Sequence, residues 1–102
     1  MKYKEIDKIL EEWSKTKGLF IGFKYKDEDV RSMTVVDNEG FSYQLSIEPS
    51  KVKWKILVYS QWQKTILMTI SSLPEEVLEK LEEAYLVIVS DIKLNGRNRT
   101  IY

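Results

Sequence analysis

The chain of 102 residues has no cysteine and no histidine. The first absence excludes disulfides, thiolate nucleophiles, zinc ribbons and iron–sulfur sites. The second removes the commonest general base and metal ligand, and with it Ser-His-Asp and Cys-His nucleophile systems. Carboxylate, lysine or tyrosine chemistry is what remains. Net charge is also lacking: 16 Lys+Arg balance 16 Asp+Glu, so nothing draws the whole molecule toward nucleic acid or an anionic membrane. The four glycines, at 18, 22, 40 and 96, are scattered, and no phosphate-cradling loop or dinucleotide fingerprint can be built from them. No apolar run reaches 18 residues, so no helical membrane span is expected. The opening "MKYKEIDKILEEW" carries acids throughout and lacks the apolar stretch of a signal peptide, so the expected location is cytoplasmic. Asn98-Arg99-Thr100 matches a glycosylation sequon, which carries no weight without secretion.

What is present suits a packed fold. Hydrophobic residues make up 43% and charged residues 31%, a balance that supports one domain over 1–102. Ile6, Ile9, Leu10 and Trp13 recur at helical spacing and predict a helix over 3–17, with Gly18 placed to end it. The period then falls to two. Leu19, Ile21, Phe23 and Tyr25 alternate with Phe20, Gly22, Lys24 and Lys26. "RSMTVVD" and "FSYQLSIE" flank "DNEG", which fits a three-residue hairpin loop with a left-handed Gly40. That register pairs Val35 with Tyr43 and Met33 with Leu45, leaving Ser32, Thr34, Ser42, Gln44 and Ser46 on the other face. Glu48-Pro49-Ser50 reads as a turn.

"KVKWKILVYSQWQK", residues 51–64, then concentrates four lysines with two tryptophans and a tyrosine. Strand parity separates them. Val52, Trp54, Ile56 and Val58 share one face; Lys51, Lys53, Lys55, Leu57 and Tyr59 share the other. For Trp62, Ile66, Met68 and Ile70 to join the first set, the connection must have odd length, about three residues centred on Gln61. Gln63, Thr65, Leu67 and Thr69 then point outward. Ser72 and Glu75 form a capping-box pattern ahead of a second helix, with Pro74 in the first turn and Val77, Leu78, Leu81, Tyr85 and Ile88 as its apolar stripe. That helix is expected to about residue 90. An alternative turns the chain at Asn95-Gly96 into a short terminal hairpin.

The expected fold is α+β: an N-terminal helix, a five-stranded antiparallel meander and a C-terminal helix, in two layers with both helices on one sheet face. Three functions compete. The leading expectation is a non-enzymatic binding or regulatory module, without metal or cofactor, acting by protein–protein association through its exposed sheet face. It would use Lys53, Lys55, Leu57, Tyr59 and Leu67, with Val36 and Phe20 as further outward apolar residues, and a homodimer is the expected state. The rival is nucleic-acid binding by Lys51, Lys53, Lys55 and Tyr59 with the basic tail residues Arg97 and Arg99. Alternating lysines on a strand are also a common guard against edge pairing. The weakest is a carboxylate- or metal-dependent enzyme built on Asp27, Glu28, Asp29, Asp37 and Glu39, for which no metal-loop spacing exists. The acidic run Glu75, Glu76, Glu79, Glu82 and Glu83 reads as a solvated helix face.

Overall fold

The computed structural model describes residues 3–23, 31–37, 39–61 and 63–100, with the side chains of 22, 23 and 95–100 left aside. A 3-10 turn over Tyr3–Glu5 leads into α1 (Asp7–Thr16). The helix ends at a Schellman motif: the Leu19 amide donates to the Ser14 carbonyl, the Gly18 amide donates to that of Lys15, and Gly18 takes the left-handed φ of 69° that this closure requires. The sheet follows as a meander in the order β1 (Ile21–Phe23), β2 (Arg31–Val36), β3 (Ser42–Pro49), β4 (Trp54–Ser60) and β5 (Thr65–Ser72). Where the sequence pattern implies a five-stranded meander, four strands of six to eight residues carry the sheet, and β1 contributes only three residues at its edge. The class is α+β.

The β2–β3 hairpin has the expected register, with Val35 opposite Tyr43 and Met33 opposite Leu45. Asp37 and Phe41 close the loop, and Gly40 is left-handed at φ 86°. Asp37 Oδ1 accepts the Glu39 and Phe41 amides at 2.9 and 3.0 Å. This carboxylate therefore holds a turn together. Asp27, Glu28 and Asp29 lie outside the described residues, as does Tyr25.

The second hairpin departs from expectation. Four residues, not an odd number, lie between Ser60 and Thr65, and Lys64 takes the left-handed φ of 55°. Parity is restored by a β-bulge: Val58 pairs with Met68, yet Tyr59 pairs with Ile66, so Leu67 is an extra residue in β5. Met68 and Ile70 face inward as expected. Ile66, expected inward, opposes Tyr59 on the outer face and is 64% exposed. Leu67, expected outward, packs against the core. Trp62 lies outside the described residues. Two smaller differences occur at the start of β4. Pro49 ends β3 opposite Trp54, so it is not in the turn. The strand begins only at Trp54, which leaves Lys51, Val52 and Lys53 exposed in the connection.

The inward face of the sheet (Met33, Val35, Tyr43, Leu45, Ile47, Trp54, Ile56, Val58) forms one buried cluster with Ile6, Leu10 and Trp13 of the N-terminal helical segment and with Val77, Leu81, Ala84 and Ile88. The last four belong to α2 (Val77–Thr100). Ser72 does not cap this helix. It ends β5 and donates to the Leu73 carbonyl, and a 3-10 turn over Pro74–Glu76 precedes Val77. Leu78 is 52% exposed, and Ala84 takes the buried place on the stripe. The helix continues through Asn95 and Gly96 to Thr100, so there is no terminal hairpin. Among the described residues, no helix is long and apolar enough to cross a membrane.

The two helices are clasped by one polar cluster. Glu82 Oε1 accepts the Trp13 indole N–H at 2.7 Å and lies 3.0 Å from Lys17 Nζ, whose ammonium stands 5.0 Å from the Tyr85 ring centroid. The Lys17 hydrogen bond, then that of Trp13, holds the Glu82 carboxyl below its ordinary value of 4.5. A depressed folded-state pKa adds stability that is complete above the ordinary value and is lost as pH falls through the folded value. Glu82 is 44% exposed, so solvent screening keeps the contribution small. Glu82→Gln is therefore expected to flatten the acid limb of the stability curve, measured as the urea midpoint from about pH 6 down to about pH 3. An acid limb as steep as that of the parent protein would exclude Glu82 as its source.

Candidate functional site: the open face of the sheet

Side chains alternate across a strand, so the register that buries one face builds the other. Four cross-strand rows result. Val36 stands opposite Ser42. Thr34, Gln44, Tyr59 and Ile66 form the second row, and Ser32, Ser46, Leu57 and Thr69 the third. Glu48, Lys55 and Ser71 make the fourth.

The centre of this face is polar and internally satisfied. Ser32 Oγ donates to Gln44 Oε1 at 3.1 Å, and Gln44 Nε2 donates to Thr34 Oγ1 at 2.9 Å. Gln44 and Ser46 are buried despite facing outward, because their neighbours in the central rows cover them. Ser42 Oγ also donates to the Gln61 side-chain oxygen across the hairpin end. Beside this floor stand the half-buried Leu57 and Tyr59 and the exposed Val36 and Ile66. Tyr59, Ile66, Gln61, Lys64 and Thr65 border a shallow depression. The arrangement offers amide, hydroxyl, aliphatic and phenol groups. Among the described residues, carboxylate and ammonium stand at its margin, as Glu48, Lys55 and Lys64. Such a surface can recognise a partner by shape and apolar contact.

Of the residues expected to meet a protein partner, Lys55, Leu57 and Tyr59 share this face. Lys53 is exposed in the connection ahead of β4. Leu67 is corrected: the bulge turns it to the helical side, where it borders a depression with Leu86, Val87, Ser90, Asp91 and Leu94. Ile66 takes its place, a residue that simple alternation assigns to the core.

The basic residues of the rival expectation do not gather. Lys51 and Lys53 are in a turn, and Lys55 faces Glu48 across the β3–β4 pair. Arg97 and Arg99 belong to the last turns of α2, and Arg97 is about 30 Å along the helix axis from Val77. The helix starts beside the Trp54 end of β4 and runs back past the Tyr43 end, where the Tyr43 hydroxyl donates to Asp91 at 2.6 Å. The tail thus leads away from Lys53 and Lys55, on the other side of the sheet. Among the described residues, no group of three or more acidic side chains gathers to hold a metal ion.

Neither protein-family models, nor curated proteins, nor solved structures give a match to this chain.

Proposed function

We propose that this protein is a small non-enzymatic binding module that takes a protein partner on the open face of its sheet. One observation carries the reading. The row Thr34–Gln44–Tyr59–Ile66 sets an exposed isoleucine and a tyrosine beside a floor whose polar groups already satisfy one another. Covering that floor costs little desolvation, because Gln44, Ser32 and Thr34 keep their hydrogen bonds to each other. Leu57 and Val36 extend the apolar area, and Lys55 and Glu48 form a charged rim that can orient a partner.

The double variant Leu57→Lys/Ile66→Lys tests this reading. Both side chains point away from the core, so stability should change by roughly 0.5 kcal/mol or less at Ile66 and only modestly more at Leu57. A partner retained by the parent protein should be lost by the variant. Chemical cross-links to that partner should fall on Lys55 and Lys64, which flank the face. A partner held equally by both proteins would refute the face as the site. Nucleic-acid binding is separated by gel shift at low salt: single- or double-stranded probes retained there and released as salt rises would favour the basic residues over the apolar face.

A further inference from the structure

We infer that two copies of this chain pair through β5, antiparallel and about a twofold axis near Ile70, so that one sheet and one helical layer run through both. The surface differs from the open face and leaves that face free, so this inference stands whether or not the open-face reading holds.

The first observation is the edge itself. β5 is the last strand of the sheet, and its eight residues, Thr65–Ser72, contain no charge and no proline. An edge strand presents unpaired N–H and C=O groups, and natural proteins usually guard it with lysine, proline or a bulge. Here the lysines lie on the preceding connection and on β4, and the bulge at Leu67 guards only the first part of β5. Met68–Ser72 remains regular. Backbone groups in that array are matched by another extended strand, which fixes the chemistry of the occupant.

The second observation is the position of α2, which selects a second copy over any other strand. The helix packs over β4 and β5, so its axis lies about half a strand spacing, some 2.4 Å, inside the edge. A twofold axis beside β5 adds the same distance again. Doubling the sum places the two α2 axes about 10 Å apart, within the 8–10 Å range of packed helices. Sheet twist of about −20 to −25° per strand crosses them at about −40 to −50°, near the commonest class of helix packing. An isolated peptide strand would leave this flank of α2 uncovered.

Charge on that flank is self-complementary. Val87 lies with Leu67 on the β5 side of α2, and Lys80 and Glu83 precede it by seven and four residues on the same stripe. The helix starts at the Ser72 end of β5 and runs antiparallel to it, so with Val87 near Leu67 the earlier residues Lys80 and Glu83 lie toward the Ile70 end of the strand. A twofold axis near Ile70 brings the Lys80 and Glu83 of one copy beside those of the other, so that the pair each chain already makes at 3.2 Å can be shared across the axis. Ile70 and Met68, only partly buried in one chain, would meet their counterparts beneath the two helices. Zero net charge adds no long-range repulsion between copies.

The absence of cysteine makes the test clean. Sedimentation velocity of the parent chain should show a concentration-dependent species of twice the monomer mass. Ile70→Cys should yield an oxidised dimer, and Val36→Cys, on the open face, should not. Lys80→Glu lies on the helix surface and should raise the dimer Kd about tenfold or more, since like charges then meet at the axis. The swap Lys80→Glu/Glu83→Lys should restore it. A monomer at every concentration would overturn the inference. So would a dimer insensitive to Lys80→Glu, or one cross-linked through Val36→Cys in place of Ile70→Cys. Leu57→Lys/Ile66→Lys should leave this dimer intact, so failure of the open face and failure of the edge are read separately.

Discussion

Trp54→Ala is expected to lower the unfolding free energy by about 3–5 kcal/mol, the largest loss for any single truncation among the described residues. Trp54 is fully buried at the first position of β4, between Pro49 and Ser72 in the sheet. Its ring meets that of Tyr3 at 5.1 Å between centroids. The Tyr3 hydroxyl donates to the Ile47 carbonyl, and the Arg31 guanidinium lies 3.9 Å above the Tyr3 ring while pairing with Asp7 at 3.2 Å. The indole is thus the floor on which the N-terminal segment rests, and its removal leaves a void under Tyr3 as well as lost area. Trp54→Phe should be much milder. It keeps a ring in contact with Tyr3, and it removes an indole N–H that is buried without a hydrogen-bond partner among the described residues. Urea denaturation of both variants decides the point. Equal losses for Ala and Phe would show that ring packing on Tyr3 is not what the site supplies.

A second large effect is expected at Leu81. This side chain is fully buried on the stripe Val77–Leu81–Ala84–Ile88 that seats α2 on the sheet. Leu81→Ala should cost about 2–5 kcal/mol, the range for a buried leucine whose cavity cannot fully collapse. Leu78→Ala, three residues earlier and more than half exposed, should cost under about 1 kcal/mol. Thermal or urea unfolding of the pair would detect the contrast. Losses of similar size would mean that the helix is seated on a different face.

The difference between Leu78 and Leu81 shows how far sequence periodicity reaches. Helical spacing correctly identifies Val77, Leu81 and Ile88 as inward, but Leu78 scores as well as they do on hydrophobicity alone. Ala84 contributes little to any apolar pattern, yet it lies where the helix comes close to the sheet. The β2–β3 hairpin was legible because three signals coincide there: alternation on both sides, a three-residue loop, and a glycine at its left-handed position. At the next hairpin alternation misled, because a bulge adds a residue without adding a turn signal. Strict parity therefore puts Ile66 inside and Leu67 outside, whereas the most exposed aliphatic residue of the open face is Ile66 itself. The charged margin of that face was legible at Lys55 and illegible at Lys51 and Lys53, since the strand begins three residues later than alternation implies. Arg97 and Arg99 could be joined to those lysines only if the chain turned at Asn95-Gly96, and a helix with sufficient packing behind it runs straight through that pair.

The bulge at Leu67 also bears on how this fold can change over time. Residues before it and after it obey opposite facing rules, so β5 is two half-strands with separately adjustable surfaces. Loss of a single codon at position 67 would bring Ile66 directly before Met68, still opposite Tyr59, so the bulge would vanish while every remaining residue of β5 kept its partner and its face. One indel could thereby remove or supply a side chain beside Val87 on the helical side while leaving the register and the open face as they are, a change that no point mutation can make.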